Sequence, residues 1–401
     1  MAKAAYIHIP FCEQICFYCD FNKVFLKNQP VNEYIEALLK EIDLTKDKQS
    51  ISDLLRLDTI YIGGGTPTAL TAEQLEKLLA GLQTRIALKE VKEFTVEVNP
   101  DSATKDRLEV LHAYGVNRLS IGVQTFDEEL LQAIGRTHSE ANIRQAILTS
   151  RAAGFQNISI DLMFGLPHQS VEQFVNTLKK TFELGVEHIS AYSLKIEEKT
   201  VFFNRQRKGK LSLPPEEDEV RMYERLRNET SKHGYTQYEI SNFAKPGLES
   251  KHNLVYWNNE EYYAFGAGSH GYLQGVRFHN HGPLPKYLKA IQENKLPRLQ
   301  EHFVPLVEKI EEYMFLGLRK REGLNRHQFL NDFQLDYEQL FANQLKTLRE
   351  RLLIEDTDIG IRLSDKGLLL GNEVFEQFLA VLEEEKLVID ENVSNTSSKY
   401  D

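Results

Sequence analysis

Cysteine is nearly absent from the sequence: there are three in 401 residues, all between positions 12 and 19. An odd number packed so tightly excludes a disulfide framework and points to a reducing compartment and a metal site. Long apolar runs are missing too. None reaches the ~18 residues that a membrane span needs, and the N-terminus lacks the pattern of a secretory signal. The expectation is a cytoplasmic protein with no transmembrane segment. Basic residues are the minority, 48 Lys and Arg against 59 Asp and Glu, for a formal net charge of −11. Binding to a phosphate backbone needs a concentrated basic surface, so no nucleic-acid partner is expected. What is present is ordinary for a globular chain, 41% hydrophobic and 27% charged, enough to bury a real core.

The first half alternates short β-branched runs with amphipathic stretches, the pattern of repeated βα units on a parallel sheet. Strands are predicted at 4–9, 59–62, 94–98, 118–123, 158–163 and 188–194. Helices are predicted at 31–47, 71–82, 104–114, 139–153 and 170–184, several opened by Ser, Thr or Asn caps. These units predict an α/β fold, a partial (β/α)6 TIM-like barrel over residues 1–200; closure with eight strands is not visible. Residues 201–298 read as a loop-rich extension. It holds a basic stretch at 204–210, a helix pattern near 216–233, and a Gly- and aromatic-rich segment at 235–287 with too little periodicity for helix or strand. Such a segment usually lines or covers a site. Over 299–380 a helical pattern returns at 306–319, 326–332 and 337–351, followed by a hairpin at 353–363 and a helix from 364. This predicts a small α-helical, winged-helix-like C-terminal domain. Residues 381–401 form a polar tail. The run from Arg205 to Lys210 offers peripheral contact with anionic lipid, with a solvated loop as the alternative.

The string from Tyr6 to Cys19, YIHIPFCEQICFYC, puts Cys12, Cys16 and Cys19 on one loop after the first strand. Three thiolates on a four-iron cube leave one iron open to a substrate. In the C-x₃-C-x₂-C spacing of radical-SAM proteins, that iron chelates S-adenosylmethionine for reductive cleavage. The alternative is a Cys₃His zinc site with His8 as fourth ligand. The turn Gly63-Gly64-Gly65-Thr66 follows the second strand and suits a small zwitterion. Polar residues Glu97, Gln124 and Asp161 fall near strand ends, where barrels place working groups, and Arg136 opens a helical stretch. In isolation each polar residue could equally be a cap or turn partner.

On these motifs the sequence resembles the oxygen-independent coproporphyrinogen III oxidase group of radical-SAM proteins, from Tyr6 to about Phe378. The resemblance implies a [4Fe–4S] cluster on the three cysteines. It implies S-adenosylmethionine contacts from Tyr6, Tyr18, Gly64, Gly65, Thr66, Glu97, Gln124, Arg136 and Asp161, with Glu97 meeting either the amino group or the ribose. Two departures from the decarboxylating oxidase appear: Phe21 stands where the oxidase has a further cysteine, and the oxidase's extra N-terminal segment before the motif has no counterpart. A third feature, His252-Asn253-Leu254-Val255-Tyr256-Trp257, matches the H-N-x-x-Y-W string of the group's haem-chaperone branch. Imidazole is a common haem ligand and aromatics stack on a macrocycle. His252, Tyr256 and Trp257 are therefore the haem-binding candidates, with His270, His279 and His281 as rival ligands nearby. The resemblance implies a haem chaperone that passes haem to an acceptor haemoprotein. The alternative it leaves open is radical decarboxylation of coproporphyrinogen III to protoporphyrinogen IX. Catalytic residues are not assigned, and whether S-adenosylmethionine is cleaved stays open.

Overall fold

The computed structural model describes residues 2–382, so the polar tail expected from 381 onward lies, past Leu382, outside the described residues. The described residues form two compact units: one of residues 2–237, Ser241–His252 and Glu261–His302, the other of Tyr238–Ile240, Asn253–Glu260 and residues 303–382.

In the first unit six parallel strands run side by side in chain order: β1 (Ala4–Ile9), β2 (Thr59–Gly64), β3 (Glu93–Val98), β4 (Arg118–Gln124), β5 (Asn157–Phe164) and β6 (His188–Ser193). Each strand alternates, and the alternation sorts two chemistries onto two faces. One face is apolar, with Ile60, Ile62, Phe94, Val96, Leu119, Ile121, Ile158 and Ile160 all essentially excluded from water. The other is polar yet equally buried: Thr59, Glu93, Thr95, Arg118, Ser120, Ser159 and His188. Intervening helices open where the sequence supplies caps. Thr71 with Gln74, Ser139 with Asn142 and Ser170 with Gln173 each form a reciprocal capping box at the start of Ala72–Gln83, Glu140–Ala152 and Val171–Glu183.

The segment at 235–287 is more regular than expected. It holds the strands Asn242–Ala244, Tyr262–Phe265, His270–Leu273 and Val276–Asn280 and the helix Lys251–Trp257. Among the described residues these strands, with Thr236–Gln237 and Arg298–Phe303, extend the sheet at both edges to twelve strands. Periodicity missed those within 235–287 because strands of two to five residues carry too few alternations to read. Their tightest turn, Gln274-Gly275 with φ of +52° and +75°, joins Leu273 to Val276 as a two-residue hairpin without the Asn-Gly or Asp-Gly signal. The basic stretch expected as loop begins as the helix Val201–Arg207, capped by the Thr200 hydroxyl on the Phe203 N–H.

A polar knot closes the N-terminal ends of the strands. Glu93 is buried and accepts from the Ser250 hydroxyl at 3.1 Å and from the N–H groups of Lys251 and His252 at 2.8 and 2.9 Å. It thereby satisfies the first orphan donors of the helix Lys251–Trp257. Glu93→Ala removes the carboxylate that these three donors share and is expected to cost about 2–3 kcal/mol, read as a lowered denaturation midpoint; an unchanged midpoint would show that the cap contributes nothing.

The second unit contains the helices Leu306–Gly317, Arg326–Phe333 and Ala342–Glu350 and a small antiparallel sheet in which Gly360–Leu363 lies between Leu324–Asn325 and Ile354–Asp356. No helix of the described residues is long and apolar enough to cross a membrane.

Candidate functional site

The cysteine loop is anchored on several sides. Phe11–Cys12 pairs in parallel with Val24–Phe25, closing the loop that carries Cys16 and Cys19. The Phe17 N–H donates to the Ile134 carbonyl and the Phe17 carbonyl accepts from Phe202, both at 3.0 Å. Phe17 and Tyr18 pack on a buried cluster that includes Leu130, Ile134, Met163, Leu166 and Phe202. At the loop's end Asn22 Nδ2 donates to the carbonyls of Ala267 at 2.8 Å and Gly282 at 3.0 Å. Lys23 Nζ donates to the Cys19 carbonyl.

His8 is fully committed. Its Nε2 donates to the Asn22 carbonyl at 2.7 Å, which leaves Nδ1 to accept from the Tyr6 hydroxyl at 3.0 Å. Burial lowers its pKa to about 4, so the ring is neutral. A zinc site with His8 as fourth ligand would have to displace either the Tyr6 hydroxyl from Nδ1 or the Asn22 carbonyl from Nε2. Among the described residues no three His, Cys, Asp or Glu side chains converge on a single-ion site. A four-iron cube takes each thiolate at a different iron, so sulfurs spread along one loop fit it. Burial pushes the Cys12 thiol up to about 11 and raises Cys19 as well. The thiolate state here needs a cation, and metal binding releases the protons.

The glycine turn after β2 rests on this loop. Gly65 N–H donates to the Ile9 carbonyl and Thr66 N–H to the Phe11 carbonyl, each at 2.8 Å. Thr66 Oγ1 reaches Cys12 Sγ at 3.8 Å. Gly64 has φ +115°, and a Cβ there would stand 2.3 Å from the His8 ring, so the position admits only glycine. Its N–H donates to Glu97 Oε2 at 3.0 Å, and the Tyr61 hydroxyl donates to Oε1 at 3.0 Å. Burial and then the neighbouring Asp161 push the Glu97 carboxyl up to about 7. Asp161, raised by burial, accepts from Ser120 Oγ at 3.1 and 3.3 Å. Arg136 donates to Asn99 Oδ1 and, at 3.3 Å, to the Tyr18 hydroxyl, while its buried Nε has no partner. A Cβ at Gly122 would lie 3.1 Å from Gln124 Nε2 and 3.3 Å from Arg136 Nη2; the bare backbone leaves room where amide and guanidinium converge.

This donor set suits a zwitterion: Glu97 and Asp161 for an ammonium, Arg136 with its spare N–H for a carboxylate. The structure thus gathers Tyr6, Tyr18, Gly64, Gly65, Thr66, Glu97, Gln124, Arg136 and Asp161 around the cysteine-loop end of the sheet. Sequence reasoning passed over the groups that hold them, Tyr61, Asn99, Ser120 and Gly122. The readable signal was the polar half of each strand's alternation, of which only the strand-end members were singled out.

His252 lies at the opposite ends of the strands. It is fully buried, and its Nδ1 is 2.8 Å from Thr59 Oγ1, with its ring centroid 5.4 Å from that of Tyr61. Thr59 and Gly64 are five residues apart on β2, which puts His252 roughly 16 Å from the glycine turn at about 3.3 Å per residue. Burial, reinforced by the buried Arg118, lowers the His252 pKa to about 3. Tyr256 and Trp257 follow on the same helix and belong to the second unit. There the Arg319 guanidinium lies 4.3 Å from the Trp257 ring centroid.

Two family models match the chain: the Radical SAM superfamily over residues 6–181 and the HemN C-terminal domain over 304–370. The chain is 48% identical over 381 residues to the protein of Bacillus subtilis named heme chaperone HemW, spanning 95% of this chain and 100% of that one. It is 46% identical over 377 residues to the Lactococcus lactis protein of the same name, spanning 94% and 97%. Among solved structures, the radical-SAM coproporphyrinogen III oxidase HemN of Escherichia coli superposes with a TM-score of 0.81 at 24% identity, covering 94% of this chain and 90% of that one. That likeness is one of fold. Identity sustained across nearly the whole of both chains decides the matter: the chain belongs to the HemW family of radical-SAM proteins.

Proposed function

We propose that the protein is a cytoplasmic haem chaperone that binds haem through His252, with Tyr256 and Trp257 beside the macrocycle, and passes it to an acceptor haemoprotein. The observation that carries this reading is the H-N-x-x-Y-W string on one helix, in a chain 48% identical over its length to a protein named as a heme chaperone. In this reading the parallel strands form a partial (β/α)6 barrel and the second unit is winged-helix-like.

Cys12, Cys16 and Cys19 would hold the [4Fe–4S] cluster, which supplies one-electron chemistry to S-adenosylmethionine at its open iron. The residues around it bind and orient. Glu97, held by Tyr61 and Gly64, takes the ligand's amino group, and Arg136, held by Asn99 and Tyr18, takes its carboxylate. Held by these residues, the cluster and S-adenosylmethionine would regulate or trigger haem transfer. His252 is enclosed, so ligating haem requires the start of its helix to leave Glu93 and Thr59.

The test is anaerobic reconstitution with iron and sulfide followed by haem titration, with and without S-adenosylmethionine and reductant. A saturable haem spectrum is expected, weakened roughly tenfold or more in His252→Ala. Because that variant also opens the polar knot, Trp257→Leu serves as a second probe with His252 intact. Absence of a haem spectrum, or wild-type affinity in both variants, overturns the reading. Growth rescue of a strain lacking the oxygen-independent oxidase would establish decarboxylation instead.

A further inference from the structure

The hairpin of His270–Leu273 and Val276–Asn280 pairs His270 directly with His279. Their rings stack with centroids 5.0 Å apart and planes 22° from parallel. His270 is exposed and His279 half-buried. Among the described residues neither ring donates or accepts a hydrogen bond. The contrast with His8, His138, His188 and His252 is sharp, because each of those has a ring nitrogen engaged. The hairpin sits at the cysteine-loop end of the sheet, since Asn22 bonds to Ala267 before it and Gly282 after it.

Imidazoles with no hydrogen-bond partner at a solvent-accessible edge are ligands for borderline transition metals. With metal–nitrogen bonds of about 2.0–2.1 Å, two imidazoles on one tetrahedral ion have ring centres roughly 5 Å apart. The observed separation is already that of a chelating pair. One step along the same hairpin face, the Arg277 guanidinium lies 4.5 Å from the Tyr272 ring centroid, a cation placed for a carboxylate beside the metal.

We propose that His270 and His279 form a solvent-facing imidazole pair that ligates a transition-metal centre. Two sources supply that chemistry. A free divalent ion is chelated by both rings; haem iron is taken by one ring, with Arg277 meeting a propionate. The haem source rests on the proposed function, and the free-ion source does not. As a haem ligand the pair needs no unpacking of the fold, so it receives haem before His252 does.

The full-length protein is titrated separately with Ni²⁺, by calorimetry, and with ferric haem, by visible absorption. Wild type is compared with His270→Ala/His279→Ala, with the shape-conserving His270→Gln/His279→Gln, and with His252→Asn. The expected result is saturable Ni²⁺ binding that both double variants weaken roughly tenfold or more, and haem binding that the double variants weaken and His252→Asn slows or reduces only at the later stage. Unchanged melting temperatures in the glutamine pair separate ligand loss from misfolding. Double variants that take both probes as tightly as wild type overturn the proposal. If wild type takes Ni²⁺ through the pair but shows no haem spectrum, the proposed function fails while the pair stands as an ion site. If haem binding survives the double variants and Ni²⁺ binding does not, the pair stands with a free ion as its source.

Discussion

Serine at Cys12, Cys16 or Cys19 is expected to remove the iron–sulfur cluster almost completely: reconstituted variants should lack its visible absorption and its iron and sulfide. The loop supplies three sulfurs and the sequence has no fourth cysteine, so each loss leaves two. His8, the nearest imidazole by sequence, is spent on Asn22 and Tyr6. The fold itself should barely respond. Cys16 and Cys19 are partly exposed and the loop is pinned by Phe17 and Asn22, so their replacement is expected to change stability by less than about 1 kcal/mol. Chemical denaturation of the unreconstituted variants measures this directly. A serine variant that keeps a full complement of iron would show that the ligand set is wrong, and one zinc per wild-type chain after purification would revive the mononuclear alternative.

Acid should destabilise the protein progressively between about pH 6.5 and 4.5. Four buried histidines are kept neutral mainly by burial: His8 and His138 with pKa values lowered to about 4, His252 to about 3, and His188 lowered well below its ordinary range. Unfolded, each takes a proton below about 6.5. The unfolded state therefore binds more protons than the native one between about 4 and 6.5, and stability falls as pH falls through that window. Glu41 and Glu97, both raised to about 7 by burial, and Asp161, also raised, act in the opposite sense, since the native state holds their protons longer as pH rises. Four groups against two or three leave one or two unopposed, or roughly 1.5–3 kcal/mol per pH unit. Between pH 6.5 and 4.5 the loss should reach roughly 3–5 kcal/mol, with the optimum close to neutrality. Urea midpoints measured across that range check it. A flat profile, or one that rises toward acid, would show that the buried imidazoles do not outweigh the buried carboxyls.

The parts of the fold that the sequence shows plainly are those where one physical signal dominates. β1 and the strands at 59, 94, 118, 158 and 188 alternate over six to eight residues, and the helices between them begin at Thr71, Ser139 and Ser170, whose hydroxyls cap their own first turns. The region at 235–287 hid its regularity because its strands borrow their length from partners far away in the chain: Tyr262 pairs with Ala4, and Asn242 with Ser190. No local window contains such information. The same distinction holds at the site. Cys12, Cys16, Cys19 and the glycine turn stand out by spacing, whereas Tyr61, Asn99 and Ser120 are common residues whose importance comes from the neighbour each one holds. Burial of His252 was equally invisible, because its enclosing partners Thr59 and Glu93 lie 193 and 159 residues away.

The anchoring of the cysteine loop bears on whether its shape depends on the metal. Small metal-dependent modules acquire their shape from the ion. Here Phe17 is clamped between Ile134 and Phe202 and Asn22 between Ala267 and Gly282, so the loop takes its course from finished parts of the sheet on either side. The course of the loop is thus written by protein–protein bonds drawn from Ala4 to Gly282, and the mould for the three sulfurs would keep its shape with or without iron.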